Sequence, residues 1–246
     1  LQPPFFDKTA DDATNYGAIG AVIGHEMSHG FDDRGRRFDD KGNLRDWWQT
    51  SDADAYKVQA QRVVEQFDGY TVNDSLHVNG KLTLGENIAD LGGLAVAYAA
   101  MQKALAGKPR ELVGGFTPEQ RFFLSYARIW RAMDRPEGLR TRVLTDPHSP
   151  ARWRVNGPLS NLKEFHDAWG CKDGDGMVRP AEQRARIHEQ ADQQTLELIN
   201  RLKEEMRPEI TMRREREFSV LPKISEVDRH PPRRGLDDGD ASFAQV

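Results

Sequence analysis

The amino-acid sequence predicts a mainly α-helical protein with a small β-hairpin. Three observations lead there: stretches in which apolar residues recur at helical spacing, a capping box beginning at Thr117, and one Asn-Gly pair between two short apolar runs. At 246 residues the chain is long enough to bury a sizeable core. Apolar residues make up 37% and charged residues 30%, the balance of a wet, charged surface. The longest apolar stretch, Leu91 to Met101, falls short of the roughly 18–20 residues that cross a bilayer, so no membrane span is expected. A net charge of −4 argues against a nucleic-acid surface built on bulk positive charge. Cys171, the single cysteine, cannot close an intrachain disulfide. The chain opens on Leu1, and LQPPFFDK lacks the basic start and apolar run of a signal peptide, so a piece of something longer is expected.

The elements follow in order. Asn15 to His29 is rich in small and apolar residues and predicts a buried helix ended by Gly30. Gly17, Gly20 and Gly24 each cost that helix about 1 kcal/mol relative to Ala, which points to another backbone packing close. After a turn-rich charged stretch, Asp52 to Phe67 spaces Tyr56, Val63, Val64 and Phe67 as an amphipathic helix does. Asn79-Gly80 between Leu76-His77-Val78 and Lys81-Leu82-Thr83 predicts a hairpin with a type I′ turn, since both residues tolerate positive φ. Glu86 to Leu105 predicts a second buried helix, closed by Gly107 and Pro109. Thr117 as N-cap, Pro118 in the first turn and Gln120 at the capping-box position start a third, with Phe122, Phe123, Tyr126, Ile129, Trp130 and Met133 as its apolar stripe. From Asp134 the chain is expected to be loop through DPHSPARWRVNGP, with a short amphipathic piece over Leu162 to Trp169. An amphipathic helix is expected from Pro180 to Met206, and HPPRRGLDDGDASFAQV, without periodicity, should be disordered.

One constellation carries chemistry. His25-Glu26-Met27-Ser28-His29 is an HExxH pattern inside a predicted helix. Residues at i and i+4 share a face, so two imidazoles can converge on one metal ion while Glu26 sits beside them, within reach of a metal-bound water. A helix with two ordinary histidines would look the same. What favours the metal is a second element, Glu86-Asn87-Ile88-Ala89-Asp90. A catalytic zinc takes three protein ligands and keeps one position open; Glu86 can be the third ligand. Asp90, one turn later, can hydrogen-bond a ligand histidine's other ring nitrogen. ExxxD alone is also what a solvated acidic face presents. Asp39-Asp40-Lys41-Gly42-Asn43 lacks the alternating ligands and closing Glu of a calcium loop and is expected to be a charged turn.

VIGHEMSHGFDDRGRRFD, GENIADLGGL and DPHSPARWRVNGPLSN, in that order, resemble the C-terminal catalytic region of the neprilysin family of zinc metallopeptidases, as do LQPPFF and GNLRDWW. The resemblance covers residues 1–187 and implies a thermolysin-like zinc-peptidase catalytic subdomain. Carried over residue by residue, it implies one zinc ion held by His25, His29 and Glu86, with Glu26 as general base and Asp90 as a supporting carboxylate and proton donor. His148 would steady the tetrahedral intermediate, although a loop histidine with surface contacts is the plainer alternative. Arg154 would grip a substrate carbonyl. Val22, Ile129 and Trp130 would line an apolar pocket for the residue after the scissile bond, and Ile129 and Trp130 would serve equally as core. His77, His166 and His188 match nothing in the family.

The resemblance also implies peptide substrates, an extracytoplasmic location, and a partner lobe: a helical N-terminal lobe with a substrate-binding strand, which lies outside this sequence. Residues 188–246 match nothing in the family and are expected to be a charged extension, helical then disordered. The function expected is zinc-dependent hydrolysis of short peptides. The alternatives are a catalytically incomplete fragment that keeps a zinc-binding or interaction role, and assembly through an amphipathic tail helix.

Overall fold

The structure, a computed structural model, describes residues 1–73 and 75–187. The chain divides into two compact units, Leu1–Thr195 and Leu196–Val246, and every described residue lies in the first. His188, the helix expected over 188–206 and the disorder expected over 230–246 lie outside the described residues.

The described part is mainly helical with one two-stranded antiparallel sheet, the predicted class. Helix α1 (Asp12–Asn15), capped by the Asp11 carboxylate, runs through a π-helical turn over Tyr16–Gly20 into α2 (Ala21–Ser28) and a 3₁₀ turn over His29–Phe31. Gly30, expected to stop the helix, lies inside that 3₁₀ turn. Helix α3 spans Thr50–Asp68 and buries Tyr56, Val63, Val64 and Phe67, the stripe its spacing predicts. Strands β1 (Thr71–Asn73) and β2 (Leu76–His77) pair, and α4 (Leu84–Ala104) follows, with Gly107 beyond it at a φ of 73°. Helix α5 (Pro118–Ile129) has both hydrogen bonds of the Thr117–Gln120 capping box.

The core holds Leu94, Met101, Phe122, Phe123, Tyr126 and Leu159 in one cluster and Val63, Phe67, Val78 and Leu91 in a second. Each such side chain contributes about 1.5–3 kcal/mol by leaving water. Met133, assigned to the α5 stripe from the sequence, is fully exposed because the helix ends at Ile129.

The hairpin is displaced from its predicted place. Its strands pair Thr71 with His77 and Asn73 with Leu76, so the reversal precedes Leu76. Asn79-Gly80 instead leads into α4. Asn79 accepts hydrogen bonds from the amides of Leu82 and Thr83, and the Gly80 amide donates to Asp68 Oδ1 at 2.6 Å. A Cβ on Gly80 would come within 2.2 Å of the Val64 carbonyl oxygen, so this glycine answers to a close approach by α3.

The stretch expected as loop after Asp134 contains two helices, α6 (Pro136–Thr145) and α7 (Ala151–Leu159). Both begin beside a proline, whose fixed φ suits a first helical turn. Buried Gln66 of α3 anchors α7 by donating to the Gly157 carbonyl at 2.9 Å. Helix α8 (Lys163–Trp169) matches the predicted amphipathic piece and ends at Gly170 in the left-handed region. The helix expected from Pro180 is absent over 180–186. A 3₁₀ turn at Ala181–Gln183 gives way to extended chain, because the amides of Ala185 and Arg186 donate to the side chains of Asn161 and Gln59.

Helices α2 and α4 meet through glycines. A Cβ on Gly24 would lie 2.7 Å from the Gly93 carbonyl oxygen, and one on Gly93 would lie 2.5 Å from the His25 amide nitrogen. Gly17 faces the Phe122 carbonyl of α5 in the same way, at 2.1 Å. Gly20 differs: its nearest neighbours are Tyr16 and Asn15 of its own segment. Gly93→Ala is therefore expected to cost about 3 kcal/mol, read as a lower Tm, by forcing α2 and α4 apart. Gly138→Ala, on open α6 surface with nothing within 4 Å, should leave Tm unchanged or raise it.

Candidate metal centre

His25 lies in α2 and His29, four positions later, opens the 3₁₀ turn that continues it, which places both rings on one face. The rings meet edge to face with centroids 4.7 Å apart, and their Nε2 atoms lie 3.1 Å from each other. Glu86, in the first turn of α4, brings Oε2 to 3.2 Å from His25 Nε2 and Oε1 to 3.6 Å from His29 Nε2. Among the described residues, these three form the one group whose donor atoms gather closely enough to hold a metal ion.

Each imidazole turns its other nitrogen to a carboxylate: His25 Nδ1 lies 2.8 Å from Asp90 Oδ1, and His29 Nδ1 lies 2.7 Å from Asp32 Oδ2. A carboxylate accepts, so these contacts assign the proton to Nδ1 and leave a lone pair on each Nε2. Two lone pairs 3.1 Å apart beside an anionic oxygen repel unless a proton or a metal ion lies between them. Zinc bonds of about 2.0–2.1 Å in a tetrahedron set donors about 3.3 Å apart. The separations here, 3.1, 3.2 and 3.6 Å, match that spacing. The donor set fits zinc.

Behind the donors lies a buried ion pair. Asp90 is 3% exposed and Arg154, from α7, is 6% exposed. Arg154 donates from Nε to Asp90 Oδ2 at 2.8 Å and from Nη2 to Oδ1 at 2.7 Å, a two-pronged contact. Its guanidinium carbon lies 4.0 Å from the Trp130 ring centroid, and Nη2 reaches within 3.6 Å of Glu86 Oε2. Burial alone would push the Asp90 carboxyl up, but Arg154 and His25 hold it below the usual carboxylate range. Glu86 is likewise held low, burial being outweighed by the facing imidazoles and Arg154. In the metal-free protein, burial opposes a charge on His25, yet Asp90 and Glu86 push its pKa up to about 9.

His148 sits in the turn between α6 and α7. Its Nδ1 lies 2.7 Å from Asp146 Oδ1, and its Nε2 lies 3.1 Å from Glu86 Oε2. Ser149 fixes the turn: fully buried, it donates to Asn87 Oδ1 at 2.8 Å, one residue from Glu86. Glu26 is exposed beside His25, and Val22 is half-buried one turn earlier on α2. Ile129 and Trp130 both pack against the core cluster, and Trp130 also carries the Arg154 contact.

Seven of the ten site residues expected from the sequence thus touch one another in a continuous set: His25, His29, Glu86, Asp90, His148, Arg154 and Trp130. Glu26 and Ile129 lie next to that set along the chain, and Val22 lies three residues before His25 on α2. Two carboxylates were missed, Asp32 and Asp146. Each lies two or three residues from the histidine it orients, a local acid–histidine spacing that could have found them. His166 is buried with Nε2 3.1 Å from the Met177 carbonyl, and His77 is exposed on β2. Asp39 accepts from the amides of Lys41 and Asn43, forming a charged turn.

Residues 1–185 match peptidase family M13. The chain is 47% identical over 183 residues to human endothelin-converting enzyme 1, which covers 73% of this chain and 24% of that protein. It is 48% identical over 176 residues to neprilysin-11 of Caenorhabditis elegans, covering 70% of this chain and 21% of that protein. The solved structure of the Mycobacterium tuberculosis zinc metalloprotease Zmp1 in complex with inhibitor resembles it with a TM-score of 0.73 and 43% identity, over 75% of this chain and 29% of that chain. The chain spans about a quarter of the length of the curated relatives it matches.

Two outcomes are expected. Asp32→Ala frees His29 to rotate and should weaken zinc binding by about 10- to 100-fold in a chelator competition, with little change in helix content. His25 binds its proton more tightly when folded, at about 9, than in the unfolded chain, near 6.5. Its contribution to the stability of the zinc-free protein is then complete below about pH 6.5 and disappears as pH rises through about 9. Denaturant titrations of chelated protein at a series of pH values read that decline, and His25→Gln should flatten it.

Proposed function

Because the chain belongs to peptidase family M13, we propose that residues 1–187 are the zinc-binding catalytic region of an endopeptidase that hydrolyses bonds in short peptides, with one zinc ion per chain. What carries the reading is the convergence of His25, His29 and Glu86, each imidazole steadied by its own carboxylate. Bound there, zinc would polarise the scissile carbonyl and acidify the attacking water.

The chain's own groups supply the rest. Glu26, next to His25 and open to solvent, takes a proton from the attacking water and later delivers it to the leaving amine. His148, held by Asp146, would turn its other ring nitrogen to the developing oxyanion; one donor of that kind is worth about 3 kcal/mol. Asp90 keeps His25 in the tautomer that leaves Nε2 free, and holds Arg154 still. The guanidinium edge that Asp90 does not occupy is left for a substrate carbonyl, and Val22, Ile129 and Trp130 form the apolar wall for the adjoining side chain. We place the enzyme outside the cytoplasm, working with an N-terminal lobe of the same family fold; no helix among the described residues is long and apolar enough to cross a membrane.

Remote contacts position a peptide for attack, so the 246-residue chain alone should bind zinc and yet cleave slowly. In metal analysis and a chelator-controlled peptide assay, Glu26→Gln is expected to retain one zinc per chain and to lose at least about 100-fold of whatever turnover the parent shows. Unchanged turnover in that variant would refute the assignment.

A further inference from the structure

Between the end of α5 and the start of α7, a cavity of about 360 Å³ opens to solvent, and it shares Trp130 with the Arg154 contact. Trp130, Ala151 and Val155 make its apolar walls, and Arg128, Arg131 and Arg152 line it with positive charge. Among the described residues, no carboxylate lines it. None of the three arginines has a carboxylate within ion-pair distance among the described residues; Arg152 rests over the Trp153 ring at 4.7 Å. Asp7, which feels Arg128 through space, already accepts two hydrogen bonds from Thr9.

Three guanidinium groups gathered without counter-ions repel one another, and a carboxylate entering between them relieves that repulsion. Guanidinium is also the side chain best shaped to grip a carboxylate through paired N–H donors. The apolar walls suit the methylene stem that carries such a group. Trp130 belongs both to this cavity and to the stack on Arg154, whose Nη2 is 3.6 Å from the candidate metal ligand Glu86. An extended peptide advances about 3.3 Å per residue, so a substrate side chain packed on Trp130 would carry a neighbouring one toward the cavity that Trp130 also lines.

We propose that this cavity is a specificity subsite for an acidic side chain, Asp or Glu, of the peptide substrate. The proposal rests on the peptidase reading. Its test uses the full chain with Glu26→Gln, so that peptides bind without being cut. Rhodamine-labelled peptides that differ only by Glu or Gln at the second to fourth positions beyond the scissile bond are titrated by fluorescence anisotropy. The best-placed Glu peptide is expected to bind about five- to tenfold tighter than its Gln counterpart at low salt. That ratio should fall toward one when ionic strength rises from about 0.02 to about 0.5 M. Combining Arg128→Gln, Arg131→Gln and Arg152→Gln should abolish the preference without changing affinity for the Gln peptide, and Arg131→Glu should reverse it. Equal binding of the two peptides, or a preference that survives the arginine substitutions, overturns the subsite. Zinc content of the same samples separates the two readings: equal binding with one zinc per chain refutes the subsite alone, whereas loss of both preference and zinc refutes the peptidase reading beneath it.

Discussion

The contact between two glycines governs this molecule. Gly24 on the HExxH helix and Gly93 on the following acid-bearing helix let two backbones touch where any Cβ would collide. That approach sets the reach of every donor at the centre. Imidazole and carboxylate side chains are short, and a separation of one methyl group between the helices would carry Glu86 away from both histidines and Asp90 away from His25. The cost of placing glycine within helices, about 1 kcal/mol at each position, is offset by the packing it permits.

Charge explains why the buried part of the centre holds together. Asp90 is buried, yet it stays ionised because Arg154 meets it with two hydrogen bonds and His25 with a third. Arg154 in turn is held by Asp90 on one side and the Trp130 ring on another. A lone charge in such a place would cost several kcal/mol, so each member requires the other. Among the groups that contact the two imidazoles, Glu86, Asp90 and Asp32 carry three negative charges against the single positive charge of Arg154. The excess matches a divalent cation, in keeping with the donor spacing and with the family to which the chain belongs.

Much of the centre was legible in the sequence, because its key spacings are local. An i, i+4 pair on a helix shares a face whatever surrounds it, so His25 with His29, and Glu86 with Asp90, could be paired from residue numbers alone. The capping box at Thr117 is equally local, and it forms. The failures have a common cause. Asn79-Gly80 has the composition of a hairpin turn, but Gly80 is glycine because α3 passes against it. Helices α6 and α7 were hidden by prolines and charge, and α7 is recognisable only by what it presents inward: Arg154 to Asp90 and Gly157 to Gln66. The segment after Pro180 has helical composition, yet its amides bond to Asn161 and Gln59.

The sequence by itself determined the helical class, the pairing of the HExxH histidines, the candidate acids on the second helix and the start of α5, since each depends on contacts within a turn or two of chain. Only the tertiary structure decided that Asp32 and Asp146 orient histidines, that Arg154 is locked to Asp90, and that three arginines share a cavity beside Trp130. Directions of side chains from separate helices are set by how closely and at what angle those helices pack. That geometry is a sum over the whole core and leaves no periodic mark in the order of residues.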